Sequence, residues 1–140
     1  MIHHYNYSHR IQTRVRYSET DQMGFCYYGN FLQYYEMGRV ECLRSLGINY
    51  KNLENEGFFL PVLDIQVKYK IPCYYDDLLT IETKIVAING SRISFDYIIF
   101  NENGNICNTA TTTLVFLSKQ FNKPVRCPKS IITKLSTYVE

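Results

Sequence analysis

The chain has 140 residues, 46% of them hydrophobic and 20% charged, with 15 Lys/Arg set against 13 Asp/Glu. That is the size and make-up of a single globular domain over residues 1–140, too apolar for intrinsic disorder, and a net charge of +2 excludes a strongly basic nucleic-acid wrapper. The longest uncharged stretch, Asn103–Ser118, falls short of the roughly 20 apolar residues that cross a bilayer, and no apolar leader is visible, so a soluble cytoplasmic domain without membrane or nucleic-acid partners is expected.

Alternation of apolar and polar residues over Arg10–Ser18 predicts a half-buried strand, with Ile11, Thr13, Val15 and Tyr17 on one side. Asp21–Gly29 reads as a loop punctuated by Gly24 and Gly29. A helix of about 17 residues follows, capped by Asn30 and stopped by Gly47. Its stripe is Phe31, Leu32, Tyr35, Cys42, Leu43 and Leu46, with Gly38 at a close approach and Glu36 paired to Arg39. A short helix over Tyr50–Glu56 is capped by Asn49 and ended by Gly57. Strands are then predicted over Phe59–Ile71, Leu79–Ala87, Arg92–Phe100 and Asn105–Leu117, with Asn89-Gly90 as a two-residue turn of positive φ. A helical stripe of Ile131, Ile132, Leu135 and Tyr138 closes the chain. The sum is α+β, one antiparallel five-stranded sheet wrapped around one long helix. A single layer leaves a face or an edge to cover, so a homo-oligomer is expected.

Cys26, Cys42, Cys73, Cys107 and Cys127 are odd in number and contain no Cys-x-x-Cys pair, which points to reduced thiols and to no metal site. His3, His4 and His9 all lie in what reads as a partly exposed tail ahead of the first strand. Acid–base chemistry in the body of the chain then falls to a carboxylate, a Lys or a Tyr. The loop before the long helix offers Asp21, with Glu19 two residues earlier, beside flexible glycines and a helix N-terminus. Such a helix end can hold a developing oxyanion while the carboxylate attacks or activates water. Asp21 can equally serve as an ordinary turn cap, and Glu19, one alternation step away, can face elsewhere.

The run Arg14-Val15, Thr20-Asp21, Gly24 and Asn30-Phe31 resembles the signature of the hotdog-fold acyl-CoA thioesterases of the 4-hydroxybenzoyl-CoA thioesterase type. Tyr35-Glu36, Arg39, Leu43-Arg44 and Gly47 are similar to that family's helix. Tyr69, Pro72-Cys73, Asp77-Leu78 and the closing Pro124-Val125-Arg126-Cys127-Pro128 match its later segments in order. The resemblance implies a hotdog fold and hydrolysis of an acyl-CoA to free acid and CoA. It places the catalytic carboxylate on Asp21 and the polarising backbone N–H on Tyr28, with Gly24, Tyr27, Gly29, Asn30 and Phe31 about the substrate. Tyr28 stands where many members carry His, Phe25-Cys26 replace an aliphatic pair, and Cys73 replaces a small Ala.

No cofactor is implied, since coenzyme A is part of the substrate. A homodimer or a tetramer of two dimers is implied, with the neighbouring chain completing the pocket. Lys68, Lys70, Arg92, Lys119, Lys123 and Arg126 are candidates for the CoA phosphates or plain surface charges. The rival readings are an acyl carrier protein thioesterase, a hotdog dehydratase or hydratase, whose resemblance calls for a His, and a non-catalytic acyl-thioester-binding module.

Overall fold

The computed structural model describes residues 2–140. Strand β1 spans Ile2–Arg14, so the expected loose tail is a strand, and Met1 lies outside the described residues. Tyr5 and Tyr7 continue the inward parity of Ile11 and Thr13, and Tyr5 is fully buried. A Tyr body packs like a hydrophobe while its hydroxyl finds a partner; Tyr7 bonds Ser45 in this way. His3, His4 and His9 thereby occupy ladder positions opposite Ile88, Ala87 and Thr83. The strand stops at Arg14, and Tyr17, expected inside, is exposed in a 3-10 turn over Tyr17–Glu19.

Helix α1 (Phe31–Ser45) buries Phe31, Tyr34, Tyr35, Gly38, Arg39, Cys42 and Leu43, a stripe at helical spacing. Leu32, assigned to that stripe from sequence, faces out, and Tyr34 takes its place. Arg39 also faces in, so the expected pair with exposed Glu36 does not form. Helix α2 (Tyr50–Asn55) is capped as expected, the Asn49 side chain accepting from Asn52 N–H at 2.8 Å.

The remaining elements are β2 (Phe58–Phe59), β3 (Val62–Tyr69), β4 (Leu78–Asn89), β5 (Arg92–Phe100), β6 (Ile106–Val115), β7 (Leu117–Ser118) and α3 (Lys129–Leu135). Five strands form one antiparallel sheet in the order β1-β4-β5-β6-β3, and β2 pairs with β7 in a two-stranded ribbon. The expected Phe59–Ile71 strand is thus split, with Leu60 and Pro61 between its parts. The β4–β5 turn falls one residue later than expected. Asn89 still pairs with Arg92, and Gly90, at φ 62°, takes the first turn position.

Alternate residues of β4 and β5, from Leu79 to Ile88 and from Ile93 to Ile99, fill the core beneath α1. The helix packs mainly over β1 and β4, with β5 beyond, so the edge strand β3 lies past it. Ile65 and Tyr69 sit opposite Thr112 and Asn108 on the helix-facing side, yet they remain 38% and 47% exposed.

Gly38 is where helix and sheet come closest. A Cβ there would lie 2.4 Å from Thr83 Oγ1 and 2.8 Å from Ile81 Cγ2, both on β-branched residues of β4. Overpacking of this kind costs about 1–3 kcal/mol. Gly38→Ala should lower the thermal midpoint by the equivalent of that figure; an unchanged or raised midpoint in calorimetry would mean that the helix can lift freely.

Candidate active site

The loop between β1 and α1 is built from short local bonds. Asp21 N–H donates to the Phe25 carbonyl at 2.9 Å, and Gly24 N–H donates to the Asp21 carbonyl at 3.0 Å. Gly24, at φ 91°, supplies the left-handed residue of this turn. The Asp21 Oδ1 accepts from Met23 N–H at 2.9 Å, the turn-capping role that Asp commonly plays. Its Oδ2 accepts no hydrogen bond from the described residues. The capping and the chemical readings of Asp21 therefore use different oxygens of one carboxylate.

Glu19 is the hub that sequence reasoning missed. It is 5% exposed. Its Oε1 accepts from Arg16 N–H at 2.8 Å and from Tyr34 OH at 2.7 Å, and Oε2 accepts from Arg16 Nη2 at 3.2 Å. Its carbonyl accepts from Tyr27 N–H at 2.9 Å and from the Asn30 side-chain amide at 2.7 Å. Burial alone would raise its carboxyl, but the Arg16 N–H, the Tyr34 hydroxyl and the Arg16 guanidinium outweigh it and hold the pKa below the usual value. The sequence signal lay in the spacing: a residue three after Arg16 closes a 3-10 turn onto its own N-cap.

Asn30, expected to cap α1 with its side chain, instead spends that side chain on the Glu19 carbonyl. Residues Tyr28–Asn30 form a 3-10 turn leading into the helix. Asn30 N–H donates to Tyr27, but neither Tyr28 N–H nor Gly29 N–H has an acceptor among the described residues. These are the unpaired donors that a helix start presents. Gly29 keeps the place open: a Cβ would stand 3.0 Å from the Tyr27 ring, which itself lies 4.8 Å, centroid to centroid, from that of Tyr28.

Tyr28 and Phe31 line a surface cleft of about 280 Å³ together with Phe25, Cys26, Tyr69 and Ile71. Tyr69 OH donates to the Tyr28 carbonyl at 3.0 Å, and its ring meets that of Phe31 edge-on at 5.9 Å. Of the residues singled out from sequence, Tyr28 and Phe31 face this cleft. Asp21, Gly24, Tyr27, Gly29 and Asn30 shape the loop beside it.

Cys26 is buried, and burial pushes its thiol up to about 11, so it is not a thiolate near neutrality. Among the basic residues, Lys70 reaches the cleft, while Arg126 lies with His3 and Lys129 at the opposite end of the sheet. The strand that carries the His residues brings none of them to Asp21, since His3 and His4 sit at its far end and His9 midway.

A family model described as the thioesterase-like superfamily matches residues 15–135. The chain is 31% identical over 125 residues to YbgC of Escherichia coli, named an acyl-CoA thioester hydrolase, covering 89% of this chain and 93% of that one. It is 35% identical over 119 residues to YneP of Bacillus subtilis, covering 85% and 86%. Among solved structures, a DHNA-CoA thioesterase from Staphylococcus aureus superposes with a TM-score of 0.89 at 29% identity, covering 94% of this chain and 90% of that one. The chain belongs to the thioesterase-like superfamily, and its sheet and long helix are the hotdog fold of those neighbours.

A Glu whose folded pKa is depressed adds stability above its unfolded value, about 4.3, and that contribution disappears as pH falls through the folded value. Charge-assisted bonds of this kind are worth roughly 1.5–3 kcal/mol. The thermal midpoint of the wild type should therefore exceed that of Glu19→Gln by most near pH 7. The gap should narrow as pH falls below the unfolded value and through the depressed folded one. A gap independent of pH would show that the carboxylate is protonated in the folded protein throughout.

Proposed function

We propose that this chain, a thioester hydrolase by family, hydrolyses acyl-coenzyme A thioesters, with Asp21 as the reacting carboxylate and the N–H groups of Tyr28 and Gly29 as oxyanion donors. The observation that carries this reading is their juxtaposition in one loop: a carboxylate with one oxygen unengaged, and a helix start with two donors unengaged. Attack on a thioester carbonyl drives negative charge onto its oxygen. Preorganised backbone donors stabilise that charge without reorganising when it appears. The attacking group is either Asp21, which forms an anhydride, expels the thiolate and is freed when water cleaves that anhydride, or a water that gives its proton to Asp21 as it adds and the thiolate leaves. The aromatic walls of Tyr28, Phe31 and Tyr69 offer an apolar bed for the acyl group beside the donors.

Assembly enters the same reading. Strand β3 is an edge of the sheet, and Val62, Leu63, Ile65 and Tyr69 leave apolar surface on it exposed. Open, apolar edges are covered in native proteins. A second copy pairing there would bury that surface beside Tyr69 and close the cleft.

Two results test this function. Asp21→Asn keeps shape but removes the charge, so kcat for a hydrolysed acyl-CoA should fall at least about 100-fold with little change in binding; a near wild-type rate in a thiol-release assay would remove Asp21 from the chemistry. Light scattering at micromolar concentration should give a mass at least twice the 16.5 kDa of the chain, and a monomer that still turns over would refute the completed-pocket arrangement.

A further inference from the structure

We infer that Glu19 is a positioning residue for hydrolysis, holding Asp21 and the Tyr28–Gly29 donors in register; the inference rests on the function proposed above. The two reacting parts stand on separate arms of the loop. One arm, Glu19 to Asp21, leaves the 3-10 turn at the end of β1; the other, Cys26 to Asn30, enters α1. The arms meet at the Thr20–Cys26 bridge and at Glu19, whose carbonyl holds Tyr27 N–H and the Asn30 amide. Tyr27 is the residue before the first donor, and Asn30 is the residue after the second. The carboxylate of the same Glu19 binds back to Arg16 and forward to Tyr34 on the first turn of α1. One buried residue therefore touches the strand end, the donor turn and the helix, and lies two residues from Asp21.

No other carboxylate among the described residues is placed this way, since Glu19 is the one Asp or Glu buried there. It accepts hydrogen bonds at both oxygens, and both point into the loop's own framework rather than into the cleft lined by Tyr28 and Phe31. That separates it from Asp21, which keeps one oxygen unengaged. A neutral Gln at position 19 that keeps its oxygen on Arg16 N–H and Tyr34 OH turns an amide donor toward the Arg16 guanidinium, donor against donor. The backbone contacts between the arms remain, but the side-chain tie from the turn to the first turn of α1 is strained, and the loop can shift against the helix. Misplacement by about 1 Å is enough to cost up to 10²-fold in rate.

The test is steady-state kinetics on benzoyl-CoA or hexanoyl-CoA, whichever the wild type turns over, at a temperature where circular dichroism shows each variant folded. Glu19→Gln should lower kcat at least about tenfold while KM stays within about twofold. Tyr34→Phe, which removes one hydroxyl from the same carboxylate, should lower kcat in the same direction, and it decides the matter if Glu19→Gln does not fold. Adding Glu19→Gln to Asp21→Asn should cost less than the product of the two single losses, because only the placing of the Tyr28–Gly29 donors is left to lose. Folded variants with kcat within about twofold of wild type, or full multiplicative loss in the double variant, would overturn the assignment while leaving Asp21 in place. A wild-type rate for Asp21→Asn beside an inactive Glu19→Gln would instead remove Asp21 from the chemistry and make Glu19 the reacting carboxylate.

Discussion

The approach of α1 to β4 at Gly38 sets the geometry on which the rest of the molecule depends. With no Cβ at that point, the helix backbone settles directly over Ile81 and Thr83. Everything that leaves the helix then has a fixed reach. Tyr35 OH meets the Asn108 side chain on β6, and Arg39 Nη1 donates to Tyr97 OH on β5 at 3.1 Å. The close seat also carries a cost. Among the described residues, Thr83 Oγ1 and Asn108 Nδ2 are buried without a protein partner, and a group left so forfeits about 1–3 kcal/mol. A fold that accepts those losses gains a helix whose start is held at one place on the sheet.

Two buried charges then fix what the helix seat leaves free, and they do so differently. Arg39 is 6% exposed and faces no carboxylate; it donates from Nε to Tyr50 OH at 2.9 Å and from Nη1 to Tyr97 OH. Burial would lower its pKa, but the Tyr50 and Tyr97 oxygens outweigh that and keep it charged. Tyr97 hands the contact on to Thr112 Oγ1 at 2.7 Å. The chain α2–α1–β5–β6 therefore locks the rotation of the helix about its axis. Glu19 performs the matching task at the other end, where it holds the loop to the first turn. Burying a charge without such partners would cost several kcal/mol, so each of these residues is informative about its surroundings.

What could be read from the sequence follows from how local each cause is. The helix, its Gly38 contact, the Asn49 cap and four of the strands are written in spacing and punctuation, which act over a few residues. The first strand is read short at its start because His3 and His9 share the inward parity of Tyr5 and Tyr7, so that run does not alternate between apolar and polar residues. Glu36–Arg39 was misread because i,i+3 spacing shows which residues can meet, not which side faces the core. The site divides along the same line. The loop motif gave Asp21 and Tyr28 by resemblance, but the role of Glu19 arises from Tyr34, fifteen residues away. For β3, alternation predicts a half-buried strand, whereas the helix meets it only where Phe31 touches Tyr69, and most of its side chains stay exposed.

The last link joins that edge strand to the donors. In a trans peptide the carbonyl and the following N–H point in opposite directions, so fixing one fixes the other. The Tyr28 carbonyl accepts from Tyr69 OH at 3.0 Å and from Phe31 N–H. The N–H of that same peptide belongs to Gly29, one of the two unengaged donors. Two hydrogen bonds on the oxygen hold the peptide plane, and they polarise it, strengthening the N–H as a donor by an amount on the order of 10–30% per bond. Tyr69 stands on β3, half exposed, at the edge where the sheet lies open. Tyr69, held on the Tyr28 carbonyl and against the Phe31 ring, thereby ties the direction of the Gly29 N–H to the open edge of the sheet.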